Sequence, residues 1–261
     1  MSIRAQSVPD LECLKLSVRV PGRELVRDLN MSCGPSKVIA VLGRNGAGKS
    51  SALHAMVGLR PSTGEVRVRG RSIADWPRRE MALAVGLLPQ ASDDSFPGTV
   101  IETALIGRHP HVDFWRWESD LDKAIASRCL ASVGLSEMEG RDIRSLSGGE
   151  RRRLAVATIL AQDPQVYLLD EPLQQLDLQH QLEVLRLFRS RAEHGHTVVM
   201  SLHDAGLAAR FADEALLLFG DGRWRHGPSD EVLNQENITA LYGVPVREVC
   251  WPEGRTFVAV C

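Results

Sequence analysis

The 261-residue sequence predicts an α/β fold built on a mostly parallel sheet. Two observations predict it. Short, unbroken apolar runs rich in β-branched residues read as strands buried on both faces, and segments of helical spacing lie between them. Strands alternating with helices are the pattern of a parallel sheet covered on both sides. The first strand is residues 36–42 (SKVIAVL), ending at Gly43; residues 49–58 follow as a helix with Leu53, Met56 and Val57 on one side. Further strands are expected at 85–88, at 166–169 before Asp170, at 197–202 before His203, and at 215–219. Helices are expected at 118–133, 154–162 and 178–191. Residues 92–163 break the alternation and read as an inserted helical subdomain between two parts of one core, 1–91 and 164–226. Residues from Gly227 to 261 read as a small C-terminal extension packed on that core.

Composition narrows the function classes. Thirty-one basic residues against 33 acidic ones leave a net charge of −2, so no dominant nucleic-acid footprint is expected. No apolar run approaches the roughly 18 to 20 residues that span a bilayer, and residues 1–14 lack the apolar block of a signal peptide. A soluble, cytoplasmic protein is the expectation. The five cysteines are scattered, contain no CxxC pair and read as small apolar fillers. Only four of the basic residues are Lys (Lys15, Lys37, Lys49, Lys123), so a motif that demands Lys rarely arises here by accident.

One such motif is present. Gly43-Arg44-Asn45-Gly46-Ala47-Gly48-Lys49-Ser50 fits GxxxxGK[ST] between a strand and a helix. Glycines let backbone N–H groups turn inward around phosphate oxygens, and the helix N-terminus adds its positive dipole end. Lys49 then reaches the β- and γ-phosphates, and the hydroxyls of Ser50 and Ser51 are placed for the metal and phosphates. A nucleoside triphosphate site with Mg²⁺ is the reading. Such a site needs an acid at the end of a neighbouring strand, and Asp170-Glu171 supplies two. Asp170 is assigned to the Mg²⁺ shell through water. Glu171 is assigned to polarising the attacking water. His203 ends the next strand, where its imidazole can sense the γ-phosphate.

Leu146-Ser147-Gly148-Gly149-Glu150 combines an S-x-x-E capping box with two glycines in the first helical turn. Each glycine lowers helix propensity by about 1 kcal/mol relative to Ala, so helix stability alone does not explain them. Bare N–H groups at a helix N-terminus suit a phosphate. With the phosphate loop, Gln90, Asp170-Glu171, Leu176-Asp177 and His203 in this order, the chain resembles the ATP-binding subunit of an ABC transporter over nearly its whole length. That resemblance implies a P-loop NTPase (RecA-like) core with an N-terminal antiparallel β part and the helical insertion. It implies a homodimer sandwiching two ATPs, in which Ser147 and Gly149 bind the partner's γ-phosphate. Gln90 would carry a loop touching both Mg²⁺ and the membrane subunit, and Asp177 would lie in a dimer-contacting loop.

The sequence departs from the family pattern in two places. The family usually stacks an aromatic on adenine, yet no aromatic precedes Trp76 here. Val20 or Arg23 must serve instead, which forfeits about 1–3 kcal/mol by analogy with base stacking on aromatics and implies weak selection among purines. The loop after Glu171 reads Pro-Leu-Gln-Gln-Leu-Asp177, where the family commonly has Thr and Ser.

With no span, the membrane part is expected in two separate permease subunits, fed indirectly by a periplasmic binding protein. The chain would then be peripheral at the cytoplasmic face of the inner membrane. Phe114, Trp115 and Trp117 suggest a docking surface near Gln90, whereas His109 and His111 lack a third partner for a metal. The stretches TVIETALIGRHPH, LDLQHQLEVL and LYGVPVREV resemble the iron-siderophore, haem and cobalamin importer branch. By analogy alone, cobalamin is the first expectation for cargo and iron chelates, siderophore or haem, the second. A cassette of an exporter or extraction complex is the alternative. The long coiled coils of chromosome-repair members and the paired cassettes of translation-associated ones are absent.

Overall fold

The computed structural model describes residues 8–90, 97–113, 117–252 and 254–260. The chain opens on β1 (Leu11–Val20) and β2 (Arg23–Cys33), an antiparallel hairpin. β3 (Val38–Leu42) leads through the glycine-rich loop into α1 (Lys49–Met56). β4 (Thr63–Val68) and β5 (Arg71–Ser72) return to the hairpin, giving a four-stranded antiparallel sheet in the order β2-β1-β4-β5. This is the antiparallel part that the family resemblance implied.

α2 (Arg78–Ala84) and β6 (Val85–Leu88) come next, followed by the helical insertion of α3 (Val100–Ile106), α4 (Asp120–Ser132) and α5 (Gly148–Gln162). The core resumes with β7 (Val166–Leu169), α6 (Leu178–Glu193), β8 (Thr197–Ser201), α7 (Ala205–Phe211), β9 (Glu214–Leu218) and β10 (Trp224–Pro228). α8 (Ser229–Val232), α9 (Gln235–Tyr242) and the hairpin β11 (Val246–Trp251) and β12 (Gly254–Ala259) end the chain.

The main sheet has the order β10-β9-β3-β8-β7-β6, parallel except for β10 at its edge. Its strands are buried on both faces because alternate residues serve two cores. Ile39, Val41, Val166, Leu168 and Val199 face α1 and the antiparallel sheet. Val38, Ala40, Leu42, Tyr167, Leu169 and Met200 face the helical insertion and the C-terminal helices. That is the period of two expressed on two apolar surfaces, which is why these strands read as unbroken apolar runs.

The structure fixes two boundaries. α5 begins at Gly148, ahead of the apolar run at 154–162, with both glycines in its first turn behind the Ser147–Glu150 capping box: the Ser147 N–H donates to Glu150 Oε2 at 2.7 Å and the Glu150 N–H to Ser147 Oγ at 3.2 Å. Gly227, where the sequence reading begins the C-terminal extension packed on the core, lies inside β10, paired with Ala215, and Leu233, Ile238 and Leu241 beyond it pack into the main core.

Candidate functional site

The glycine-rich loop joins the C-terminal end of β3 to α1, at the edge where parallel strands leave the sheet. Two of its glycines are required by space. A Cβ at Gly43 would lie 2.6 Å from the Leu218 carbonyl oxygen, and one at Gly48 would lie 2.9 Å from Leu25 Cβ. Gly48 also adopts φ +104°, in the left-handed region that disfavours side chains. Gly48 is the N-cap of α1 and offers no capping side chain, so the first-turn N–H groups remain for an anion. Lys49 is buried and donates from Nζ to the Gly43 carbonyl at 2.9 Å. Burial lowers its pKa, against the opposing pull of Glu171 and Asp170.

Asp170 follows β7 and is 1% exposed. Its Oδ1 accepts from Ser201 Oγ at 2.9 Å, while Oδ2 is buried without a hydrogen-bond partner among the described residues. A buried carboxylate oxygen left free in this way is the chemistry a hard, oxygen-seeking cation satisfies, so the residues present fit Mg²⁺.

Glu171 adopts φ +49°. Its N–H donates to Ser201 Oγ at 2.7 Å, and its carboxylate joins two loops: Gln90 Nε2 lies 3.0 Å from Oε2 and His203 Nε2 lies 2.8 Å from Oε1. Glu171, Gln90 and His203 therefore meet in one cluster.

That cluster lines a cleft of about 650 Å³ with Asn45, Gly46, Gly48, Lys49, Ser50 and Ser51. Val20, Arg23 and Leu25 also line it, with no Phe, Tyr or Trp among the lining residues. Arg23 Nε donates to the Gly220 carbonyl at 2.7 Å, and a Cβ at Gly220 would lie 2.6 Å from the Arg23 guanidinium. This part of the cleft is thus aliphatic and guanidinium.

Other expected residues lie outside the cleft. Leu146 is buried, Ser147 is exposed, and Gly148 and Gly149 lie against Gln175: a Cβ at Gly148 would meet Gln175 Oε1 at 2.5 Å. Asp177 caps α6, accepting from the His180 N–H at 2.9 Å; that bond and the His180 ring hold its carboxyl below the usual carboxylate range. Trp117 is 91% exposed, whereas Phe114 and Trp115 lie outside the described residues. His111 bonds the Gln162 carbonyl and His109 faces Glu118, and no metal-holding His/Cys/Asp/Glu group exists among the described residues.

Two residues of the site escaped the sequence reading. Ser201 supports both acids from the end of β8; its signal was a hydroxyl at the end of a buried strand, which needs partners. Arg152, 7% exposed, was hidden in the run Arg151-Arg152-Arg153. Its signal was position: with Val156 and Ile159 it falls on the apolar face of α5. Burial lowers its pKa to about 10, against the favourable charges of Asp170 and Glu171.

Comparison with known proteins adds to this geometry. Residues 26–174 match the family model for the ABC transporter. The hemin import ATP-binding protein HmuV of Gloeobacter violaceus is 39% identical over 242 residues, covering 90% of this chain and 87% of the relative. That of Streptomyces coelicolor is 40% identical, covering 92% and 85%. The cobalamin import ATP-binding protein BtuD of Halobacterium salinarum is 37% identical over 90% of this chain but only 59% of its own length. Among solved structures, an inward-facing metal-chelate type ABC transporter superposes with a TM-score of 0.83 at 27% identity, covering 97% of this chain and 98% of that one.

Proposed function

This chain belongs to the ABC transporter family, whose ATP-binding subunits couple ATP hydrolysis to transport, and on that premise we propose that it powers the import of haem. The observation that carries the cargo is that relatives 39% and 40% identical over about nine-tenths of this chain are both hemin import proteins. The order expected from the sequence, cobalamin ahead of iron chelates and haem, is thereby reversed. Cobalamin stays as the second reading because a relative of that name is 37% identical. No described helix is long and apolar enough to cross a membrane, and the proposal assigns the membrane-spanning part to permease subunits. Two copies of this chain, two permease subunits and a binding protein make the proposed importer, with this chain at the cytoplasmic face.

In the proposed cycle ATP lies in the cleft with its phosphates on the loop of Gly43–Gly48, Lys49 and the hydroxyls of Ser50 and Ser51. Mg²⁺ would be held by Ser50, Gln90 and, through water, Asp170, and it supplies charge neutralisation of the β- and γ-phosphates. Glu171 accepts the proton of the attacking water while the bond from the γ-phosphorus to the bridging oxygen breaks and ADP leaves. Both oxygens of Glu171 are occupied by Gln90 and His203. A turn of His203 toward the γ-phosphate releases Oε1 for that water. Ser147 and Gly149 of the partner complete the phosphate site, consistent with their absence from this chain's own cleft.

The test is to purify the chain with its membrane partner and measure ATPase stimulation by candidate binding proteins. Stimulation by a haem-loaded protein and not by a cobalamin-loaded one is expected. Stimulation by cobalamin alone overturns the cargo, and a complex driving export overturns the direction.

A further inference from the structure

The Arg152 guanidinium sits at a junction that the proposed cycle does not use. From α5 it reaches two other segments, residues 89–90 and 170–172. Nη1 donates to the carbonyls of Pro89 at 2.7 Å and Gln90 at 3.3 Å. Nη2 donates to the carbonyl of Glu171 at 2.7 Å and to that of Asp170, and Nε lies 3.4 Å from the Pro172 carbonyl. Every one of these acceptors belongs to Gln90, Glu171 or a residue beside them. A planar fork with five fixed donors makes such a junction rigid, which a Lys ammonium on a flexible stem does not.

The N-terminus of the same helix, little more than one turn away, has a different duty. Arg152 lies three residues after Gly149, on the first turns of α5, whose exposed N-terminus is Ser147. In the sandwich proposed above, on which this inference rests, that N-terminus closes on the nucleotide of the other copy. Gln175, four residues after Glu171, lies against Gly148 and makes a second link between the same two regions. A rotation of α5 that docks Ser147 on one ATP must therefore carry Arg152 with it, and so displace Gln90 and Glu171 around the other ATP.

We propose that Arg152 is a positioning residue that couples the two ATP sites, setting Glu171 and Gln90 of its own site by the state of the signature helix that serves the partner's site.

The experiment uses the assembled transporter. Steady-state ATPase is measured against ATP concentration for the wild type, Arg152→Met and Arg152→Lys, beside binding of a fluorescent ATP analogue. Loss of the fork leaves the phosphate loop untouched, so ATP affinity stays within about twofold while kcat falls about 100-fold, the cost of a catalytic group misplaced by about 1 Å. The Hill coefficient falls to 1 in Arg152→Met, and Arg152→Lys recovers part of kcat. If Arg152→Met fails to fold, Arg152→Lys is judged by the same split between kcat and affinity and the same loss of cooperativity. Unchanged kcat and Hill coefficient overturn the proposal; so do parallel losses of kcat and affinity, or lost kcat with cooperativity intact. A non-cooperative wild type overturns it at the outset. Failure of the sandwich itself shows separately, as a Glu171→Gln protein that forms no ATP-dependent dimer.

Discussion

Glu171→Gln separates a catalytic role for the carboxylate from a structural one, because the two losses differ in size. The side chain accepts from Gln90 Nε2 at 3.0 Å and from His203 Nε2 at 2.8 Å. A glutamine amide has the same shape and keeps one acceptor oxygen for His203. Its NH₂ then faces Gln90, whose exposed amide turns over to present its own oxygen. Both contacts survive as neutral hydrogen bonds, so folding stability changes by about 1 kcal/mol or less, the difference between charge-assisted and neutral bonds at a part-exposed site. The main-chain bonds to Ser201 and Arg152 are unaffected. Catalysis is another matter, since an amide takes no proton from water at neutral pH. Removing a general base costs about 10²–10⁴ in rate, or about 2.7–5.4 kcal/mol of barrier. The assay pairs ATPase turnover with size-exclusion chromatography in MgATP. Turnover falls at least about 100-fold by the same estimate, while binding persists and the chain elutes as a stable dimer. Hydrolysis at the wild-type rate refutes Glu171 as the base. A drop in thermal midpoint matching the loss of activity refutes the claim that the two are separable.

Three further outcomes follow from the same geometry. Lys49→Ala removes the buried ammonium beside the phosphate loop, and isothermal titration is expected to show ATP affinity itself falling at least tenfold, about 1.4 kcal/mol; unchanged affinity counts against the loop as the nucleotide site. Because no aromatic ring lines the base end of the cleft, ATP and GTP are expected to turn over at comparable rates; a hundredfold ATP preference sinks that reading, and Val20→Tyr is expected to raise affinity for both by about 1 kcal/mol or more. In the helical insertion, Asp122 is held down to about 2 by hydrogen bonds from Ser119 and by Arg108. Its folded pKa lies below the unfolded value, so its stabilisation is full above about pH 4 and is lost as pH falls toward 2. Urea unfolding is expected to show Ser119→Ala costing about 1 kcal/mol at pH 7 and measurably less at pH 3; a cost independent of pH removes the linkage.

The legible parts of the molecule were those where one residue type has one purpose. Gly43, Gly48 and Lys49 are forced by space and charge at a phosphate loop, and the apolar runs at β3, β7 and β8 are forced by burial on two faces. The gap before Trp76 could be read because an expected residue type was missing altogether. The parts that stayed hidden are contacts to main-chain carbonyls. Arg152 spends its fork on backbone oxygens of residues 18 to 63 positions away, and nothing in the identity of those residues records it. β10 was hidden for a related reason, since its pairing with β9 is made by backbone groups of a strand with little apolar side-chain surface.

Those hidden contacts explain how Glu171 tolerates its backbone. A non-glycine residue at φ +49° costs about 1–2 kcal/mol, and the same strain recurs four residues on at Gln175, φ +64°. The strain turns the chain sharply as it leaves β7, so that Asp170 stays buried while the Glu171 side chain enters the cleft. It persists because the position is held from both sides: Ser201 accepts the Glu171 N–H, and Arg152 takes its carbonyl. At about 1 kcal/mol for the neutral bond and about 1.5–3 for the charged one, these two bonds are sufficient to offset the strain. Neither neighbour alone secures it by a comfortable margin. Glu171 is therefore placed jointly by the sheet, through Ser201, and by the helical insertion, through Arg152. A carboxylate fastened in this way moves whenever the insertion moves against the sheet.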